Sequence, residues 1–126
     1  MTIRGAIEDV ARFHDAAGIV ERGDHQPALV RGATRWRLLD EEIRELIEAM
    51  ADNDMESVAD AYADIIYIVL GSALMQIGKE RFIRVWDEVQ RANMAKCIDG
   101  RLVMRDDGKI LKPDGWTPPD IGGALR

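Results

Sequence analysis

Carboxylates stand inside apolar helical arcs at two places in this chain of 126 residues, and that arrangement limits how it can fold. The first is Glu42 and Glu45 in Arg37-Leu-Leu-Asp-Glu-Glu-Ile-Arg-Glu-Leu-Ile47; the second is Asp60 and Asp64 in Asp60-Ala-Tyr-Ala-Asp-Ile-Ile-Tyr67. At about 100° of rotation per residue, Glu42 falls between Leu38 and Leu46, with Leu39, Ile43 and Met50 continuing the arc. Glu45 lies beside it. Ala61, Ile65, Ile68 and Gly71 surround Asp64, and the eleven residues from Ile65 to Met75 carry no charge. Taking an unpaired ion out of water costs several kcal/mol. Acids placed this way therefore need protonation, basic partners or a bound cation. Two acidic pairs facing one bundle interior predict a divalent-metal site. The competing reading of the first segment is a solvated face, with Glu41 or Glu45 pairing with Arg44 for a few tenths of a kcal/mol. Asp64 has no exposed face to turn to, and it tips the balance toward metal.

Helical periodicity organises most of the rest. Thr2 caps a first helix that runs to about Ala17, with Ile3, Ile7, Val10 and Phe13 at helical spacing and Gly18 as its stop. Residues 18–30, with Gly23, Asp24 and Pro27, read as an extended connector. A second helix is expected from about Gly32 or Thr34 to Ala51. Asp52-Asn53-Asp54 turns the chain and caps a third, about 54 to 77, ended by Gly78. That short joint makes the two acidic helices antiparallel neighbours. A fourth helix takes Lys79 to about Lys96, with Phe82, Val85, Trp86 and Val89 as its inner stripe. Beyond it, Arg101 to Lys109 has a strand-turn-strand pattern around Asp107-Gly108, and Lys112 to Pro119 cannot be helical. Trp116, among prolines, is expected to anchor this tail. The fold expected is all-α: a four-to-five-helix bundle in one domain over 1–126, with a helical core at 2–97 and an irregular or hairpin tail at 98–126.

Composition narrows the function. The net charge of −6 argues against broad attraction to nucleic acid or an anionic membrane. Cys97 is the sole cysteine, so no intrachain disulfide forms, and no His/Cys spacing suits zinc. The N-terminus shows no apolar signal segment, and eleven uncharged residues are too short to span a bilayer. A cytoplasmic protein in a reducing compartment is expected. Oxygen ligands alone select Mg²⁺, or Mn²⁺, over zinc.

These residues resemble the all-α nucleoside triphosphate pyrophosphohydrolases, the superfamily of MazG, dimeric dUTPases and phosphoribosyl-ATP pyrophosphatase. Its signature is Glu-Glu-x-x-Glu on one helix and Glu-x-x-Asp on the next. Glu41, Glu42 and Glu45 match the first half; Asp64, within Ala63-Asp64-Ile-Ile-Tyr67 and followed by Gly71, matches the end of the second. The single-domain MazG-like or phosphoribosyl-ATP-pyrophosphohydrolase-like branch is closer still. It shares the early Phe13-His14, a Glu-Val-x-Arg-x-Asn-x-x-Lys stretch from Glu88 to Lys96, and an Arg-x-Asp-Gly-Lys…Lys-Pro-x-Gly-Trp tail from Arg105 to Trp116. The chain departs at Ala61, where the superfamily carries its fourth metal-binding Glu. Asp60, four residues before Asp64 and about 40° round the helix from it, is the nearest carboxylate. It either replaces that ligand or caps and hydrates the helix.

The resemblance implies a Mg²⁺-dependent enzyme cleaving a nucleoside triphosphate to its monophosphate and pyrophosphate, in nucleotide-pool control. It assigns Glu41, Glu42, Glu45 and Asp64 to metal, one of the three glutamates doubling as base, and helix geometry adds Asp60 as the candidate for the ligand missing at Ala61. Asn93, Lys96, Arg105, Lys109 and Lys112 are the candidates for binding substrate: lysines suit phosphate, and Asn93 suits a base edge. Arg91 lies in the same stretch. A homodimer or homotetramer is implied, with no nucleic-acid or membrane partner. The alternatives are phosphoribosyl-ATP pyrophosphatase, ranked lower on the long basic-aromatic tail, and a non-enzymatic helical module with a structural cation site.

Overall fold

The computed structural model describes residues 2–19 and 29–126, with side chains in the second span from Arg35 onward. Most of the connector expected at 18–30 lies outside the described residues. Among them the chain is predominantly helical, with five helices and a short open hairpin near its C-terminus, as the all-α expectation requires. It divides into two compact units, Met1–Lys79 and Glu80–Arg126.

The first unit holds α1 (Ile3–Ala16), α2 (Leu29–Ala51) and α3 (Met55–Gln76). Thr2 caps α1 by accepting from the Gly5 N–H at 3.1 Å, and Gly18, at φ 72°, ends it. α2 begins earlier than its spacing predicts, at Leu29. Asn53, at φ 54°, makes the tight turn after it, and Asp54 caps α3 through the Ser57 N–H and hydroxyl at 3.2 and 2.6 Å. Because this joint is so short, α2 and α3 pack along each other, and α1 lies on α3 as well. Ile7 and Val10 of α1 and Leu74 of α3 are fully buried, each such burial worth about 1.5–3 kcal/mol. Ala49, Val58, Ala61, Leu70 and Ala73 complete the core. Small side chains along α3 allow its neighbours to approach closely. The apolar arc of α2 is less buried than its periodicity suggests, with Leu38, Ile43 and Met50 exposed.

Among the described residues α3 is the one helix long and apolar enough to cross a membrane by length and composition, a test that the eleven-residue count alone had not met. Two helices pack on it, and it carries Asp60 and Asp64.

The second unit is built on α4 (Lys79–Met94). Its buried positions are Ile83 and Ala92; Phe82, Val85 and Val89 are half-buried and Trp86 is exposed, so the inner stripe is turned away from the expected one. From the tail, Trp116 donates its indole N–H to the Ala92 carbonyl at 2.7 Å. Between them, β1 (Cys97–Ile98) and β2 (Arg101–Leu102) pair antiparallel, Cys97 opposite Leu102, about a two-residue turn of Asp99 and Gly100 at φ 51° and 76°. Two positive φ values are what a type I′ hairpin requires. The turn expected at Asp107-Gly108 is also present, closed by an antiparallel bridge between Met104 and Ile110. A short α5 (Ile121–Leu125), which the sequence reading did not separate from the tail, follows its Asp120 cap. Arg84 and Arg91 of α4 donate to carbonyls of residues 117–126, and Glu88 accepts the Asp120 N–H.

Gly71 sits where α3 is most crowded. A Cβ there would lie 2.5 Å from Arg35 Nη2 and 2.7 Å from His14 Nε2. Gly71→Ala is expected to lower stability by about 1–3 kcal/mol, in the range of overpacked cores. Urea unfolding measures it, and a midpoint equal to wild type would show that both side chains move aside freely.

Candidate functional site

Helical spacing and one short turn bring the acids together. Glu42 and Glu45 are three apart on α2, Asp60 and Asp64 four apart on α3, so each pair shares a helix face. The antiparallel register is tied by Arg35, whose Nη2 donates to the Ile68 carbonyl at 2.8 Å and whose Nε donates to Ser72 Oγ at 3.1 Å. Two turns along α2 from Arg35, Glu42 then comes within reach of the charges on Asp64 and Asp60.

Glu42 carries the electrostatic load. Loss of water raises its carboxyl above the ordinary range, followed by the charges of Glu45 and Asp64, a hydrogen bond shared with Glu45, and the charge of Asp60. Its Oε2 is buried without a hydrogen-bond partner. Asp64 is half-buried, whereas Glu41, Glu45 and Asp60 are exposed. Among the described residues, no three of the Asp, Glu, His and Cys side chains are gathered closely enough to hold a metal ion. The donor set nevertheless fits a hard divalent cation: carboxylates only, one raised in proton affinity, one buried oxygen left unsatisfied.

The nitrogen-bearing candidates belong to the second unit. Lys96 donates to Asn93 Oδ1 at 3.2 Å, and its Nζ lies 5.4 Å from the centroid of the Trp116 ring; Lys112 Nζ lies 4.7 Å from the same ring. Both ammonium groups are thus held beside one indole, without a carboxylate partner among the described residues. Arg105 is differently committed. It grips Asp107 with Nε and Nη2 at 3.1 and 2.6 Å and clamps the turn, while Lys109 contributes its backbone N–H to Asp107 and leaves its side chain exposed. Arg91 is bound to Glu88 and to the Thr117 and Pro118 carbonyls.

Periodicity did not single out Arg35 or Ser72, and His14 entered the sequence reading only through the Phe13-His14 resemblance. His14 is 3 % exposed; burial and then the Arg35 charge hold it below its ordinary pKa, against a smaller pull from Asp15. The available signal was Gly71, since a glycine inside a long helix marks a close approach.

The model of a family described as phosphoribosyl-ATP pyrophosphohydrolase matches residues 13–93, nearly two thirds of the chain. The matched span holds all five candidate acids and Asn93 and stops short of Lys96, Arg105, Lys109 and Lys112. No curated protein matches the chain. The match favours phosphoribosyl-ATP pyrophosphatase, the alternative ranked lower above, over a general nucleoside triphosphate reading.

A carboxyl whose folded pKa is raised binds protons more readily in the native state than in the unfolded one, so its contribution to stability falls as pH rises from about 4.5 through the folded pKa. Metal-free Glu42→Gln is therefore expected to melt at a higher temperature than wild type at neutral pH and to gain less from added Mg²⁺. Thermal scans with and without Mg²⁺ check both effects, and an unchanged metal-free midpoint would show that Glu42 carries no such load.

Proposed function

Since the chain belongs to the phosphoribosyl-ATP pyrophosphohydrolase family, within the MazG-like all-α pyrophosphohydrolases, we propose that it cleaves the α–β phosphoanhydride of a nucleotide triphosphate, phosphoribosyl-ATP being the first substrate to consider. At the level of the family the activity is hydrolysis of an acid anhydride. The observation that carries the proposal is the orphaned Oε2 of Glu42 among Glu45, Asp60 and Asp64, inside the matched span. A cation relieves that repulsion and satisfies that atom.

The family is generally Mg²⁺-dependent. Bound Mg²⁺, or Mn²⁺, supplies charge neutralisation on the triphosphate and lowers the pKa of the attacking water. Glu42 and Asp64 are the inner ligands in this reading, with Glu41, Glu45 and Asp60 completing the set. One of Glu41, Glu42 and Glu45 takes the water's proton. Water oxygen bonds to the α-phosphorus, the α–β bridging bond breaks, and monophosphate and pyrophosphate leave. Lys96 and Lys112, held beside Trp116, offer cationic donors to phosphate, and Asn93 offers donor and acceptor to a base edge. Lys109 is free to join them, and Arg105 does so by exchanging Asp107 for a phosphate oxygen.

A second reading, a common nucleoside triphosphate in pool control, draws on the tail: Lys96 to Trp116 lies beyond the family match, so the groups it adds are not part of what that match supports. The proposal also includes a homodimer or homotetramer in the cytoplasm, acting on nucleotide without nucleic-acid or membrane partners. Its support is apolar surface on both acidic helices, where Ile47 and Ile66 are 60 % and 57 % exposed. Light scattering reads that state directly.

Pyrophosphate release from phosphoribosyl-ATP and from a panel of nucleoside triphosphates with Mg²⁺ tests the proposal. Turnover of at least one, lost on chelation and reduced about tenfold or more by Glu42→Gln, is expected, since Glu42 would help hold the cation. Turnover of none favours the non-enzymatic helical module with a structural cation. Asp60→Asn is expected to weaken Mg²⁺ binding, and Ala61→Glu to restore part of it; unchanged metal dependence in Asp60→Asn would leave Asp60 a surface residue.

A further inference from the structure

Three helices of the first unit meet at one point, and the side chains there are not those that apolar packing would select. His14 comes from α1, Arg35 from α2, and both press on Gly71 of α3, where an added Cβ would lie 2.5 Å from Arg35 Nη2, 2.7 Å from His14 Nε2 and 2.9 Å from His14 Cε1. Two nitrogens so near one point are close neighbours. Arg35 spends its donors on α3, at the Ile68 carbonyl and the Ser72 hydroxyl, and these bonds bridge the same pair of helices that carries Glu42 and Asp64. His14 Nδ1 is buried with no hydrogen-bond partner.

Among the described residues, the groups acting on His14 are the neighbouring Phe13 ring and the Asp15 carboxylate from α1 and the Arg35 guanidinium from α2. From α3 come Gly71 and, on Phe13, the ring of Tyr67, while Ser72 and the Ile68 carbonyl are taken by Arg35. A doubly protonated His14 carries an N–H at Nδ1, where the described residues offer no acceptor, and sets a second cation against Arg35. Both consequences oppose it.

We propose that His14 and Arg35 form a positioning latch that holds α2 and α3 in the register setting Glu42 against Asp64, and that the latch closes only while His14 is neutral. Acid then opens the joint from the α1 side and weakens cation binding two turns away. The last step rests on the metal-site reading above; the latch itself does not. Because the native state resists the proton that an unfolded histidine takes up below about pH 6.5, the stability it contributes is present above that pH and is lost as pH falls through the window.

The test uses the full chain with His14→Gln, which cannot titrate, together with Arg35→Lys and Arg35→Gln. Thermal midpoints from pH 8 to pH 5, without metal or nucleotide, are expected to fall with acid in wild type and to fall clearly less in His14→Gln. Calorimetric Mg²⁺ affinity is expected to drop severalfold more between pH 7.5 and pH 6 in wild type than in His14→Gln. At pH 7.5, Arg35→Gln with native helix content is expected to bind Mg²⁺ severalfold more weakly, with Arg35→Lys between the two. Equal pH dependence in wild type and His14→Gln overturns the protonation condition, and wild-type Mg²⁺ affinity in a folded Arg35→Gln overturns the positioning role. Should His14→Gln fail to fold, imidazole titration of the wild type by NMR decides: resistance to protonation well below pH 6.5 supports the latch, an ordinary titration ends it. A protein that hydrolyses no nucleotide would strike the proposed function and leave the pH comparison of stability standing.

Discussion

Close approach of α2 to α3 is the condition on which the first unit rests. It is set by the three-residue joint at Asp52-Asn53-Asp54, by the missing side chain at Gly71, and by a guanidinium reaching across the seam. A helix pair brought this close leaves Glu42 half-buried beside the charges of Glu45, Asp64 and Asp60, where solvent damps their field less. The raised proton affinity of Glu42 is therefore a consequence of packing as much as of sequence. Loosen the seam and the acids become ordinary surface groups.

The two units divide the chemistry by charge. The first gathers acids that suit a hard cation; the second holds lysines against an aromatic ring, at 4.7 and 5.4 Å, where their positive charge is steadied by the indole rather than cancelled by a carboxylate. Arg105 shows the contrast: its bidentate grip on Asp107 makes it first of all a brace for the turn, so recruiting it to a phosphate would trade one charged pair for another.

Much of this was legible in the sequence where a local rule applies. Thr2, Gly18, Asp54 and Gly78 mark helix ends because unsatisfied backbone groups and left-handed turns restrict which residues fit there. The half-burial of Asp64 and Glu42 followed from helical period alone. What period cannot convey is which apolar arc gets covered, and the miss at Trp86 is of that kind: Trp86 is exposed, while Ala92 is buried with its carbonyl taken by the indole of Trp116 from 24 residues away. Arg35 stayed hidden for another reason. A lone arginine on a charged helix looks solvated until the glycine it packs against is placed opposite.

The way α4 holds the C-terminal segment has a consequence for variation. Arg84 bonds the carbonyls of Ala124 and Arg126, Arg91 those of Thr117 and Pro118, and Glu88 the N–H of Asp120. These contacts read the path of the backbone and are indifferent to which side chains it carries. Residues 117–126 can thus drift in identity while keeping their place, so long as the segment keeps its turns and its helix cap, and the selective burden of attachment falls on three positions of a helix instead of on the segment attached.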